Sequence, residues 1–222
     1  MSFKKSVGWA DLSINPIKGR CLGECWYCYY SGPRGIMNRF RIDPAIRFDL
    51  SVFENIPKKA KRIFLCSTHE MFGDWIAKDW RDQIFEAIQY RPDLTFIILT
   101  KMPERIDRPM PDNVWLGVSI TQDSEYVRKA YLMEQKAKIR FISYEPIIDF
   151  VSKDIMWSLD WVILGRLTGY GKRNDPDRAT IEKFVDHARY LNIPIFLKNN
   201  LKEIWGEPLI QEFPSVKTSE ED

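Results

Sequence analysis

Seven short runs rich in Ile, Val, Phe and Leu punctuate the chain, separated by stretches long enough to hold helices. They are Gly8–Ile14, Arg62–Cys66, Thr95–Leu99, Val114–Ile120, Ile139–Ser143, Trp161–Gly165 and Pro194–Lys198. Between several of them the hydrophobic period changes from that of a strand to that of a helix. Ile76, Trp80, Ile84 and Ile88 lie on one helical stripe, and Ile181, Phe184, Val185, Ala188 and Leu191 lie on another. Tyr126–Glu134 reads as a further helix, Asp149–Leu159 as a weaker one, and Pro103, Pro109 and Pro111 break the segment after the third run. Near-continuous apolar strands joined by helical crossovers make a parallel sheet buried on both faces.

Polar residues gather just after the strands: Asn15, then Ser67, Thr68, His69 and Glu70, then Thr100 and Lys101, Thr121 and Gln122, Glu145, Arg166 and Thr168, and Lys198 with Asn199 and Asn200. A sheet curled into a barrel brings such ends to one mouth, where parallel barrels carry their chemistry. With about six or seven strands in 222 residues, the chain is shorter than the ~250 residues typical of a closed eight-strand barrel. The expected fold is an α/β, partial (β/α) barrel in a single domain, 1–216, followed by an acidic tail, 217–222.

Charge narrows the function less. Thirty-three Lys and Arg against 31 Asp and Glu leave a net charge of +2, short of the strong basic field of a general nucleic-acid binder and neutral as to a specific one. The basic run Lys58, Lys59, Lys61 and Arg62 reads as a solvated face, and most of the eight tryptophans read as core, with Trp26 the exception. No signal-peptide core and no window of roughly 20 apolar residues occurs, so no membrane association and a cytoplasmic location are expected.

Three of the four cysteines, Cys21, Cys25 and Cys28, fall within eight residues after the first strand. Such clustering suits a metal better than a disulfide framework. Three thiolates can bind three irons of a cubane cluster and leave the fourth iron free. Zinc is the alternative, with Cys66 completing a four-cysteine site, although structural zinc favours paired CxxC knuckles. Strand alternation puts Cys66 on the face of Phe64, where it is a small buried hydrophobe, a zinc ligand or a thiol hydrogen donor.

The CxxxCxxC spacing, with Tyr27 before the last cysteine, resembles the signature of the radical S-adenosylmethionine superfamily. Further segments are similar to a phage-associated branch related to spore photoproduct lyase: Asn15-Pro16, Ile63 to Phe72, Leu99 to Arg105, Asn113 to Ser119, Phe141 to Pro146, Asp160 to Gly165 and Pro194 to Lys198. Arg166-Leu167-Thr168 stand where that branch usually carries Gly-Glu-Ser. The resemblance implies a radical SAM barrel whose 4Fe-4S cluster cleaves S-adenosylmethionine reductively, an electron donor of flavodoxin or ferredoxin type, and an unidentified substrate for which a nucleobase or nucleic acid is suggested. It also implies roles: Cys21, Cys25 and Cys28 hold the cluster; Ser67, Thr68 and Glu70 meet the methionyl amino group; Ser119 contacts ribose or carboxylate; and Tyr27 packs on adenine.

Lys101, Glu145 and Lys198 are the candidate catalytic, substrate-side residues, since each stands at the end of a strand. Alternatives stay open. Glu70 can be a loop acid, Ser119 a helix cap, and Lys101 and Glu145 a structural ion pair. The rival function is a noncatalytic iron-sulfur or zinc-binding module that acts through a partner.

Overall fold

The computed structural model describes residues 7–149 and 153–215. Its main sheet has seven parallel strands: β1 (Leu12–Ile14), β4 (Arg62–Leu65), β5 (Thr95–Thr100), β6 (Val114–Ser119), β7 (Ile139–Tyr144), β8 (Trp161–Leu164) and β9 (Ile195–Leu197). The spatial order is β1-β4-β5-β6-β7-β8-β9, and every neighbouring pair is parallel. Each of the seven expected runs contains one of these strands, and the sheet curls into a half-barrel with its helices outside. A sheet built in sequence order needs same-handed crossovers throughout, which winds all the helices onto one face.

That face is packed by α2 (Lys78–Gln89), α3 (Val127–Glu134) and α4 (Arg178–Tyr190). Ile84, Phe85 and Ile88 of α2 and Ile181, Phe184, Val185 and Ala188 of α4 are buried there, in one cluster with Ile63, Leu65, Phe96, Ile98, Leu116, Ile142 and Val162 from the strands. Ile76 lies before α2, held by its N–H on the Gly73 carbonyl, while Trp80 stacks on Phe48 at 5.2 Å. The weak helical signal over 149–159 becomes a 3₁₀ turn at Lys153–Met156, and residues 150–152 lie outside the described residues, as does the expected tail at 217–222.

Alternate strand residues form the concave side. Trp9, Phe64, Ile97, Trp115, Phe141, Trp161, Ile163 and Phe196 pack there as a second apolar cluster. Trp161 is its hub, with Trp9, Trp115, Phe141 and Phe196 rings 5.3–6.2 Å away. Gly117 has an architectural reason: a Cβ there would lie 2.3 Å from the Phe141 ring, so only glycine lets that ring cross. The plug fills the lower and middle barrel and leaves polar chemistry to the C-terminal end.

The sequence reading missed two short strands and a short helix between β1 and β4. A small antiparallel pair, β2 (Ile17–Lys18) with β3 (Arg47–Phe48), brackets the cysteine segment, and α1 (Ile36–Phe40) packs beside it. A four-residue helix, α5 (Lys202–Trp205), follows β9.

Candidate active site

The cysteine loop leaves β1 and β2 at the C-terminal end of the sheet. Cys21, Cys25 and Cys28 are all half-buried, and none is in a disulfide. Backbone amides aim at two of their sulfurs: Gly23 N–H and Glu70 N–H at Cys21 Sγ (3.5 and 3.4 Å), and Ser31 N–H at Cys28 Sγ (3.3 Å). Burial raises the Cys21 thiol above its ordinary value, and these same two amides oppose the rise. Thiolate formation there gains from any added positive charge.

Among the described residues, no three Cys, His, Asp or Glu side chains stand close enough to hold one metal ion. A cubane cluster makes another demand, because each thiolate takes a different iron and the sulfurs stand apart. The donor set fits that group: three thiols on one short loop, with N–H···S hydrogen bonds of the kind that tune cluster sulfurs.

The loop after β4 lies against the cysteine loop. Tyr29 OH donates to the Ser67 carbonyl at 3.0 Å, Ser67 OH to Asn15 Oδ1 at 3.2 Å, and Thr68 N–H to the same oxygen at 3.1 Å. Glu70, 9% exposed, is a bracket: Oε1 accepts from Thr100 OH (2.6 Å) and Phe72 N–H (3.2 Å), and Oε2 from Lys101 N–H (2.8 Å). Three of its roughly four acceptor positions are thereby used within the chain. His69 is held neutral, since burial takes it down to about 4, and its Nε2 accepts from Trp75 Nε1–H at 3.1 Å.

Tyr27 turns inward. Its phenol is raised by burial, while Lys101 opposes that shift, and Lys101 Nζ stands 5.8 Å from its ring centroid. Burial works against the Lys101 charge too, yet Tyr27, Cys25 and Glu70 outweigh it and hold the ammonium above its ordinary value. Lys101 therefore belongs with the cysteine loop. The Lys101–Glu145 ion pair weighed from sequence does not form; Glu145 pairs with Lys198 instead.

That second pair spans the end of β8, from the end of β7 to the end of β9, with side chains 24% and 15% exposed. Gly165 lies between them: a Cβ there would stand 3.0 Å from Lys198 Cδ and 3.1 Å from Glu145 Cγ. Burial pulls the Lys198 ammonium down to about 8, and Glu145 is its ion-pair partner. Ser119 pairs in register with Ser143 on the same inner face, both buried, and the Ser143 hydroxyl has no hydrogen-bond partner among the described residues. Ser119 is no helix cap: the 3₁₀ turn beyond it, Asp123–Glu125, is capped by Gln122, and Glu125 takes up Thr121.

Cys66 overturns the alternation argument. The strand ends at Leu65, and Cys66 adopts φ +57°, which throws its sulfur into the outer cluster with Ile14 and Ile17 instead of beside Phe64. A left-handed conformation breaks the two-residue period. Buried there, with its thiol pushed up by desolvation, Cys66 is a packing residue.

Residues 166–177 close over the cysteine loop. Tyr170 OH donates to the Trp26 carbonyl at 2.8 Å, Arg34 reaches the Gly169 carbonyl at 3.4 Å, and Arg166 is clamped by Asp175 (2.7 Å) and Glu203 (3.0 Å). Sequence reasoning passed over Tyr170 and Arg34 because nothing local marks two residues 136 positions apart as neighbours.

Fold and site together define a parallel half-barrel with a three-cysteine loop at its C-terminal mouth. The chain belongs to the family described as protein of unknown function DUF5131, which it matches over residues 4–217. No curated protein matches it in sequence. In three dimensions it is similar to a spore photoproduct lyase mutant with bound AdoMet and dinucleoside spore photoproduct, at 14% identity and a TM-score of 0.55, covering 92% of this chain and 77% of that one.

Proposed function

We propose that this chain is a radical S-adenosylmethionine enzyme. The observation that carries the reading is the meeting of two loops at the barrel mouth, where Glu70 N–H points at Cys21 Sγ and a three-thiol loop adjoins the end of β4. The shared fold with spore photoproduct lyase supports it. When bound, a 4Fe-4S cluster and S-adenosylmethionine would supply reductive cleavage of the sulfonium and a radical able to abstract hydrogen.

The chain's own residues prepare the site. Cys21, Cys25 and Cys28 would hold the cluster. Ser67 and Thr68, fixed through Asn15, present the loop edge where the methionyl amino group would sit, and Glu70 fixes that edge to β5 while offering its last acceptor position. Lys101 keeps its charge beside Cys25 and Tyr27, where it stabilises thiolates and any carboxylate. Tyr27 offers a ring for the adenine and Ser119 a hydroxyl for ribose. Across the mouth, Glu145 and Lys198 hold an acceptor and a donor side by side for the substrate, with Gly165 leaving room between them. An electron donor of flavodoxin or ferredoxin type would reduce the cluster. The test is whether the reduced, cluster-loaded chain converts S-adenosylmethionine to 5′-deoxyadenosine and methionine; a loaded chain that neither binds nor cleaves it contradicts the reading.

A further inference from the structure

Residues 20–41 carry four arginines against one glutamate in a chain whose overall charge is only +2. Arg20 is spent on neutral partners, the Ser31 carbonyl and Asn38. Arg34, Arg39 and Arg41 are exposed, and none forms an ion pair with a carboxylate among the described residues. Instead, Arg34 lies 5.0 Å over the Tyr170 ring and Arg39 lies 5.4 Å over the Phe40 ring. Around them Trp26 is 50% exposed, Tyr29 57% and Phe40 65%. Three exposed rings and three arginines without a carboxylate partner among the described residues thus share this segment.

The face is one body, since Ile36 N–H and Met37 N–H at the start of α1 bond to the Tyr29 and Tyr30 carbonyls. It also leads inward. From Arg34 the contacts run to Tyr170, then to Trp26 at 5.3 Å, to Tyr27 at 5.5 Å and on to Lys101 at the barrel mouth. A ladder of rings with a cation at each end connects open surface to the proposed reacting site.

We propose that this face binds single-stranded nucleic acid and feeds an unpaired base toward the mouth. Guanidiniums neutralise phosphates, and exposed rings stack on bases whatever their sequence. Stacking requires unpaired bases, and the five residues of α1 are too few to read a duplex groove. An acidic electron-transfer protein would also meet the arginines, but it would not require a row of exposed ring faces. The inference deepens the proposed activity by naming its substrate class, and rests on that reading for where the chemistry occurs.

The test is fluorescence anisotropy of the full, cluster-loaded chain with a labelled oligothymidylate of about 12 nucleotides and with a duplex of equal length. Single strands should bind about tenfold or more tightly than duplex, with affinity falling as salt rises. Trp26→Ala should weaken single-strand binding about tenfold. The pair Arg34→Ala and Arg39→Ala, outside the cysteine motif, should do the same and flatten the salt dependence, while Lys58→Ala should change neither. Equal binding of both forms, insensitivity to the arginine pair, or arginine-dependent binding of a flavodoxin with none of the oligonucleotide would overturn the inference. Iron content, measured on each variant, identifies any that lose the cluster. Cofactor cleavage without strand binding refutes this inference alone; strand binding without cleavage refutes the proposed activity alone.

Discussion

The backbone N–H of Glu70 points at the sulfur of Cys21 across 3.4 Å, while the carboxylate of the same residue holds Thr100 and Lys101 at the end of the neighbouring strand. One residue thus couples the cysteine loop, the loop after β4 and the end of β5. Its side chain sets the position of its amide, and through that amide the environment of the Cys21 sulfur.

Replacing Glu70 by Ala should therefore act on two levels. Losing three accepted hydrogen bonds in a buried site should cost about 3 kcal/mol of stability, a fall in melting temperature of roughly 6 °C or more. S-adenosylmethionine affinity should fall further than iron content. Glu70→Gln should recover part of the stability, since its amide oxygen can still accept from Thr100 while its NH₂ opposes the Lys101 N–H. Thermal melts and cofactor titration check this; an unchanged melting temperature in the Ala variant would remove the bracket role.

Glu145 and Lys198 should behave as a pair. Either Glu145→Gln or Lys198→Met alone leaves the other charge half-buried and unmatched, at a cost of about 3 kcal/mol, and the double variant should recover much of that. All three variants should retain the cluster and cofactor cleavage while losing turnover of the eventual substrate. A double-mutant cycle by denaturant melts measures the coupling, and additive single effects would show that the pair does not act together.

His69 makes stability sensitive to acid. Its imidazole titrates at about 4 when folded against 6.5 for an ordinary histidine, so between those values the unfolded chain binds more protons and stability falls as pH drops. The loss from pH 6.5 to 4 should reach about 3 kcal/mol, because the charged imidazole is desolvated by burial in the folded chain. His69→Gln should have a shallower stability-versus-pH curve over that window. Parallel curves for the two proteins would contradict the assignment.

The barrel was legible because each strand is apolar on both faces and each helix on one, so period alone separated them. Ile84 with Ile88, and Phe184 with Ala188, landed where the stripes put them. The segment between β1 and β4 escaped because its two-residue strands and five-residue helix are too short to show a period; they are held by tertiary bonds such as Asp49 N–H to the Pro16 carbonyl. Cys66 was misplaced for a related reason: a single φ of +57° at a strand end leaves no mark in the residue pattern. At the site, the residue pattern placed Lys101, Glu145 and Lys198 at strand ends, and there they stand. It could not say that Lys198 takes Glu145 and that Lys101 faces Tyr27, because partner choice is decided by how far the sheet curls.

Whether Cys21, Cys25 and Cys28 together hold a 4Fe-4S cluster is decided by counting iron and acid-labile sulfide after anaerobic reconstitution of the wild-type chain and of four cysteine variants. About four of each per chain, with broad thiolate-to-iron absorption, are expected in the wild type and in Cys66→Ala, and loss of the cluster in Cys21→Ala, Cys25→Ala and Cys28→Ala. Stoichiometric zinc without iron uptake, or a cluster that survives replacement of any of the three, would contradict it.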